Sequence, residues 1–156
     1  MALMTTIAGL PAHALLVHAI VVLAPLTALL EILCAAWPAA RERFVWLVLA
    51  LAAVNLVLTP VTTDAGEWLL SQRRSVSPAL QTHAQLGDWM IYFSAALFIV
   101  AVALAVLHWL DGRSDQRRTA ANVVVAIVAL LVGVSSIITV VRIGDSGAHS
   151  VWGDGG

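Results

Sequence analysis

The chain has 156 residues, 61% hydrophobic and 11% charged, with a mean hydropathy of +0.95. A soluble domain holds about 45–50% apolar and about 25% charged residues, and a chain this short cannot hide the excess in one core. An ordinary soluble fold is excluded. The net charge of −1 offers nothing to nucleic acid, and the single cysteine, Cys34, rules out an internal disulfide or a zinc site built on several thiolates.

A helix needs about 20 apolar residues to cross the hydrocarbon core. Four segments meet that requirement. The first runs over 11–36 and contains LLVHAIVVLAPLTALLEIL. Its start carries no Arg or Lys, so the basic region of a cleaved leader is missing and a retained span is expected. The second covers 44–63 with LVLALAAVNLVLTPV, and the third covers 83–109 with MIYFSAALFIVAVALAVL. The fourth covers 120–143 with NVVVAIVALLVGVSSIITVV. The runs are continuous rather than alternating, which argues helices and not barrel strands. The expected fold is an all-α, integral membrane, antiparallel four-helix bundle in a lipid bilayer.

Orientation is read from arginines, since the chain has no lysine. Arg41, Arg43, Arg113, Arg117 and Arg118 share one side, against Arg73, Arg74 and Arg142 on the other. The positive-inside rule then predicts both termini outside the cytoplasm of a bacterial cell membrane. Trp37, Trp46 and Trp109 mark the inner ends, and Trp68, Trp89 and Trp152 the outer ends, as interfacial indoles do. Stripes of small and polar residues predict the packing faces: Asn55, Thr59, Thr62, Thr63 and Gly66; Gly87, Ser94, Ala101 and Ala105; Ala126, Ala129, Gly133, Ser136 and Val140. Pro25 and Pro60 fall inside the first two spans, where kinks are expected.

Ionisable residues in a membrane point to function, and here they crowd the outer side. His13, His18, Asp64, Glu67, His83, Asp88, Arg142, Asp145 and His149 all fall there, and His108 is alone at the inner side. His18 lies about 10 Å inside the first span and needs a hydrogen bond or a ligand role. His13 precedes it by five residues, about 140° away on the helix, so the two cannot share one small ion. His83 shares a face with Gly87, Met90 and Ser94 that can admit a flat ring. Glu31 is expected to reach back toward Arg41 or Arg43. The tail RIGDSGAHSVWGDGG reads as glycine-permitted turns able to hold an anion, with Arg142 beside it.

The stretches GLPAHALLVHAIVVLAPL, TTDAGEWL, HAQLGDW and RIGDSGAHSVW together resemble the family of small four-span membrane proteins called domain of unknown function 2231. Family members often carry HP followed by LVHFPI, whereas here His13 precedes Ala14 and His18 precedes Ala19 and Ile20. Some relatives look fused to Rieske or c-type cytochrome domains, so the resemblance implies a redox setting.

Four functions stay open. The first is a b-type haem held by His18 and His83, with His149, His13 or Met90 as substitutes and Arg142 near the propionates. Its partner would be a quinone or an extracytoplasmic cytochrome or Rieske-type protein. The second is a transition-metal site of His13, His83 and His149 with Asp64, Glu67 or Asp145. The third is a non-catalytic scaffold whose polar cluster ties helix ends together. The fourth is transport, with His18 and Glu31 passing protons. No enzyme is expected. Ser146 sits in GDSGA, but His149 on the same short tail makes no triad.

Overall fold

The computed structural model describes residues 6, 7, 10–113 and 118–152, with side chains over 12–113 and 118–149. Arg117 and the Trp152 side chain lie outside the described residues. Two short strands, β1 (Thr6–Ile7) and β2 (Leu10–Pro11), pair antiparallel with Thr6 opposite Pro11. Four helices follow: α1 (Ala12–Ala36), α2 (Pro38–Ser71), α3 (Pro78–Asp111) and α4 (Thr119–Trp152). All four are long and apolar enough to cross a membrane. The protein is all-α in its bulk, an integral membrane bundle of four apolar spans.

Each helix boundary has a local cause. Trp37 alone separates α1 from α2, with extended backbone ahead of Pro38, as the residue before a proline prefers. Ser77 caps α3, its side chain accepting from the Leu80 N–H, and Pro78 fills the first turn where no donor is needed. α1 and α2 continue through Pro25 and Pro60.

Three helices of 34 residues are about 51 Å long, well beyond the roughly 30 Å of hydrocarbon. α2 passes Thr63 and reaches Ser71, α3 begins at Pro78, and the break between them shrinks to 72–77. Among its described residues the glycine-bearing tail forms no turns. It continues α4 to Trp152, with Gly144 and Gly147 inside the helix. Glycine costs a helix about 1 kcal/mol per residue, and packing against a neighbour offsets that cost at Gly147, as the site geometry makes plain.

The helices form a closed square in which each packs on its two chain neighbours and α1 closes against α4. α1 and α3 also touch across the diagonal. The small-residue stripes turn inward: Asn55, Thr59, Thr62, Ser94, Ala101, Ala129, Gly133, Ser136 and Val140 are all buried. Val22, Val57, Ile99 and Leu131 point outward with 64–67% of their surface exposed, which suits hydrocarbon.

The two hairpins repeat each other. Ile20, Ala24, Thr27, Glu31 and Cys34 on α1 match Met90, Ser94, Leu97, Ala101 and Leu104 on α3 at one constant spacing, and every member is buried. Val48, Asn55 and Thr59 on α2 match Ala129, Ser136 and Val140 on α4 in the same way. Because α1 and α3 run in one direction and α2 and α4 in the other, the pseudo-two-fold axis runs along the bundle.

Candidate functional site

At the end of the bundle that carries the termini, the four helices part around a cavity of about 570 Å³. Its wall includes Val17 and Val21 of α1, Gly66 of α2, Arg73 of the α2–α3 connection, and Gly87 of α3. Ile143, Gly144 and Gly147 of α4 complete it. A narrower pocket continues inward from His13 and His83 to Thr59, Met90 and Val140.

His13 stands in the first turn of α1, with Nδ1 3.0 Å from the Thr62 carbonyl oxygen on α2. A carbonyl only accepts, so Nδ1 holds a proton, and in the neutral imidazole Nε2 then keeps its lone pair. One turn beyond Thr62 is Gly66, where an added Cβ would sit 2.8 Å from the His13 ring. His83 repeats this arrangement on the opposite hairpin. Its Nδ1 lies 3.1 Å from the Ile143 carbonyl oxygen and 3.2 Å from the Ser146 hydroxyl of α4. One turn on is Gly147, whose added Cβ would stand 3.0 Å from the His83 ring. The two glycines let the imidazoles lie directly on the neighbouring backbone.

The two rings face each other across the bundle axis, their centroids 6.3 Å apart and their planes crossed at 84°. His13 and His83 occupy equivalent places in the two hairpins. The chain therefore offers two imidazoles, one from each half, with both Nδ1 atoms engaged on a neighbouring helix and, among the described residues, no hydrogen bond made by either Nε2.

The remaining candidates fall elsewhere. His18 lies at the cavity mouth, exposed, with Nδ1 on the Ala14 carbonyl of its own helix. His83 is thus opposed by His13, not by His18, because five residues turn the second imidazole away from the axis. His149 is exposed on α4 and turns to Asp145, 3.0 Å from its carbonyl oxygen and 3.5 Å from its carboxylate. Arg142 is exposed and lines neither pocket, whereas Arg73 stands on the cavity wall. Asp64, Glu67 and Asp145 are all exposed. Among the described residues no three His, Cys, Asp or Glu side chains gather closely enough to hold an ion, so His13, Asp64, Glu67 and Asp145 do not assemble as a bare-ion site.

The opposite end is closed. Arg41 is buried and donates through Nε to the Cys34 carbonyl at 3.1 Å and through Nη1 to Asn122 Oδ1 at 2.6 Å. It also reaches the Ala35 carbonyl and stands 3.5 Å from Asp111. One guanidinium thus joins all four helices. The expected pairing of Glu31 with Arg41 or Arg43 does not form. Arg41 turns instead to the last carbonyls of α1, which lack helical donors, and Arg43 is exposed. His108 packs edge-on against Trp46.

The partner of His83 was encoded in a repeat that a span-by-span reading passes over. His-Ala-x-Leu begins at His13 and again at His83, and Asp-x-Gly ends at Gly66 and again at Gly147. Each copy supplies one imidazole and the glycine its partner helix needs.

The chain matches the family described as Predicted membrane protein (DUF2231) over residues 9–156. It belongs to that family. No curated protein and no solved structure matches it.

Proposed function

We propose that the chain binds haem b between His13 and His83 and works as a non-enzymatic electron-transfer subunit of the membrane. The observation that carries the reading is the facing pair of neutral imidazoles. With metal–nitrogen bonds of about 2 Å and each ring centroid about 1 Å further, two axial ligands of one iron have centroids about 6 Å apart. The pair here measures 6.3 Å. For a bare ion, two imidazoles make half a coordination shell. For an iron already held by four porphyrin nitrogens they complete it.

The surroundings support the same reading. A cavity of about 570 Å³ falls within the usual range of about 300–1,000 Å³ for small-molecule sites. Nδ1–H bonds to backbone carbonyls fix the tautomer and raise the basicity of the coordinating nitrogen. Gly66, Gly87, Gly144 and Gly147 leave room for a flat group, and Arg73 can pair with a propionate. Bound haem would supply one-electron chemistry. The protein would hold it, exclude water and set its potential by burial. By the arginine distribution the site opens on the extracytoplasmic side, where a quinone or a cytochrome or Rieske-type protein would meet it.

The alternative is a scaffold in which both imidazoles serve as staples. Its support is that each already ties two helices together. An optical spectrum of detergent-purified protein, expressed with haem supplied, decides between them. A haem b band in the reduced-minus-oxidised difference is expected, with its six-coordinate form lost in His13→Ala and in His83→Ala. A colourless wild-type preparation would leave only the scaffold.

A further inference from the structure

Midway along the bundle, below the histidine pocket, four buried oxygens lack partners among the described residues: both carboxyl oxygens of Glu31, Oδ1 of Asn55 and Oγ of Ser136. Glu31 and Asn55 are 0% exposed and Ser136 is 1% exposed. They come from α1, α2 and α4. Asn55 and Ser136 are equivalent positions of the two hairpins, while the counterpart of Glu31 is Ala101, so the carboxyl is where the repeat departs from symmetry.

The three side chains share one region of the bundle. Asn55 Nδ2 donates to Thr27 Oγ1 at 2.9 Å, and Glu31 is one turn from Thr27 on the same face of α1. Gly133 packs against Ile32 and the Ala28 carbonyl, which sets Ser136, one turn along α4, beside the same stretch. Nearby charges do not serve the carboxyl. On α1 the nearest titratable group is Cys34, and on α2 it is Arg41, which is committed to Cys34, Ala35, Asn122 and Asp111. In these layers α3 presents Leu97 and Ala101, and α4 presents Ala129 and Gly133.

A donor inventory shows what is missing. An ionised carboxylate and an amide oxygen only accept, so the group holds three acceptors and one hydroxyl. A buried polar atom left unpaired costs about 1–3 kcal/mol, and a charge more. One proton turns the carboxyl into a donor, and one water between the side chains can then satisfy the rest. We propose that Glu31, with Asn55 and Ser136, forms a proton-binding site at the centre of the bundle. Between the histidine pocket and this site stand the paired hydroxyls of Thr59, on the pocket wall, and Ser94, 2.7 Å apart.

Infrared spectroscopy of the full chain in lipid nanodiscs at neutral pH, in H2O and in D2O, tests this without any haem. The expected result is a protonated-carboxyl C=O band that shifts in D2O and is lost in Glu31→Gln. In Asn55→Ala and Ser136→Ala the band should persist at a shifted frequency, which keeps the test decisive if Glu31→Gln does not fold. Absence of the band in the wild type, a band untouched by Glu31→Gln, or one unmoved in both other variants would overturn the proposal. So would a band abolished by added sodium, which would make the site a sodium site.

Discussion

The two ends of this bundle solve the same problem with different chemistry. At the arginine end a single charged side chain with five donors reaches all four helices, taking the loose carbonyls of α1, the Asn122 amide and the Asp111 carboxylate. Below it Val45, Val48, Ala101 and Leu104 are fully buried. At the histidine end two neutral rings divide the task. Each spends its only donor outward, on a carbonyl of its neighbouring helix. The centre therefore receives two rings and a cavity. A guanidinium fills an axis, whereas a pair of imidazoles, each satisfied behind, leaves one available.

That contrast is breakable, and the largest effect belongs to the closed end. Arg41→Ala removes the group that joins four helices and strands its buried acceptors, each at about 1–3 kcal/mol, the cost of a buried polar atom left unpaired. The thermal midpoint in detergent should fall sharply while the haem band of the surviving folded protein keeps its position. Next come the glycines of the open end. Gly66→Val and Gly147→Val press a side chain into a histidine ring. Overpacking costs about 1–3 kcal/mol, which taken from binding is about 5-fold to 100-fold in haem affinity. Haem titration should show comparable losses for the two, since the halves are equivalent; a loss confined to one would break the symmetry argument.

A smaller effect is expected at the midpoint between the two ends. Asn55→Ala removes the bond to Thr27, worth about 1 kcal/mol, and denaturation should register that without loss of haem. The smallest belongs to His18→Ala. An exposed ring bonded to its own helix contributes within about 0.5 kcal/mol, as surface positions do. Stability and haem content should both match the wild type.

Much of the fold was legible because hydrophobicity in a bilayer leaves little choice. The spans, the inward stripes from Asn55 to Val140 and the exposed Trp37, Trp46, Trp89 and Trp109 all follow from transfer energetics. The extension of α4 through Gly144 and Gly147 was not legible, because isolated glycines argue for turns, and contact with His83 accounts for Gly147 alone. The site was half legible. His83 and its small-residue face could be read from one helix, but the choice between His13 and His18 depends on which face of α1 meets the axis. Apolar residues surround α1 almost evenly, so a helical wheel does not decide it. The repeated His-Ala-x-Leu and Asp-x-Gly pairs do. Arg41 shows the reverse error, since charge alone suggested Glu31 while the unpaired carbonyls ending α1 stood nearer.

The most direct measurement is electron paramagnetic resonance of the oxidised, haem-loaded protein. The account predicts a low-spin, six-coordinate signal in the wild type and in His18→Ala. It predicts conversion to a high-spin signal in His13→Gly, with the low-spin form restored by added imidazole. A low-spin signal that survives His13→Gly, or disappears in His18→Ala, would contradict the facing of His13 and His83 as the ligand pair.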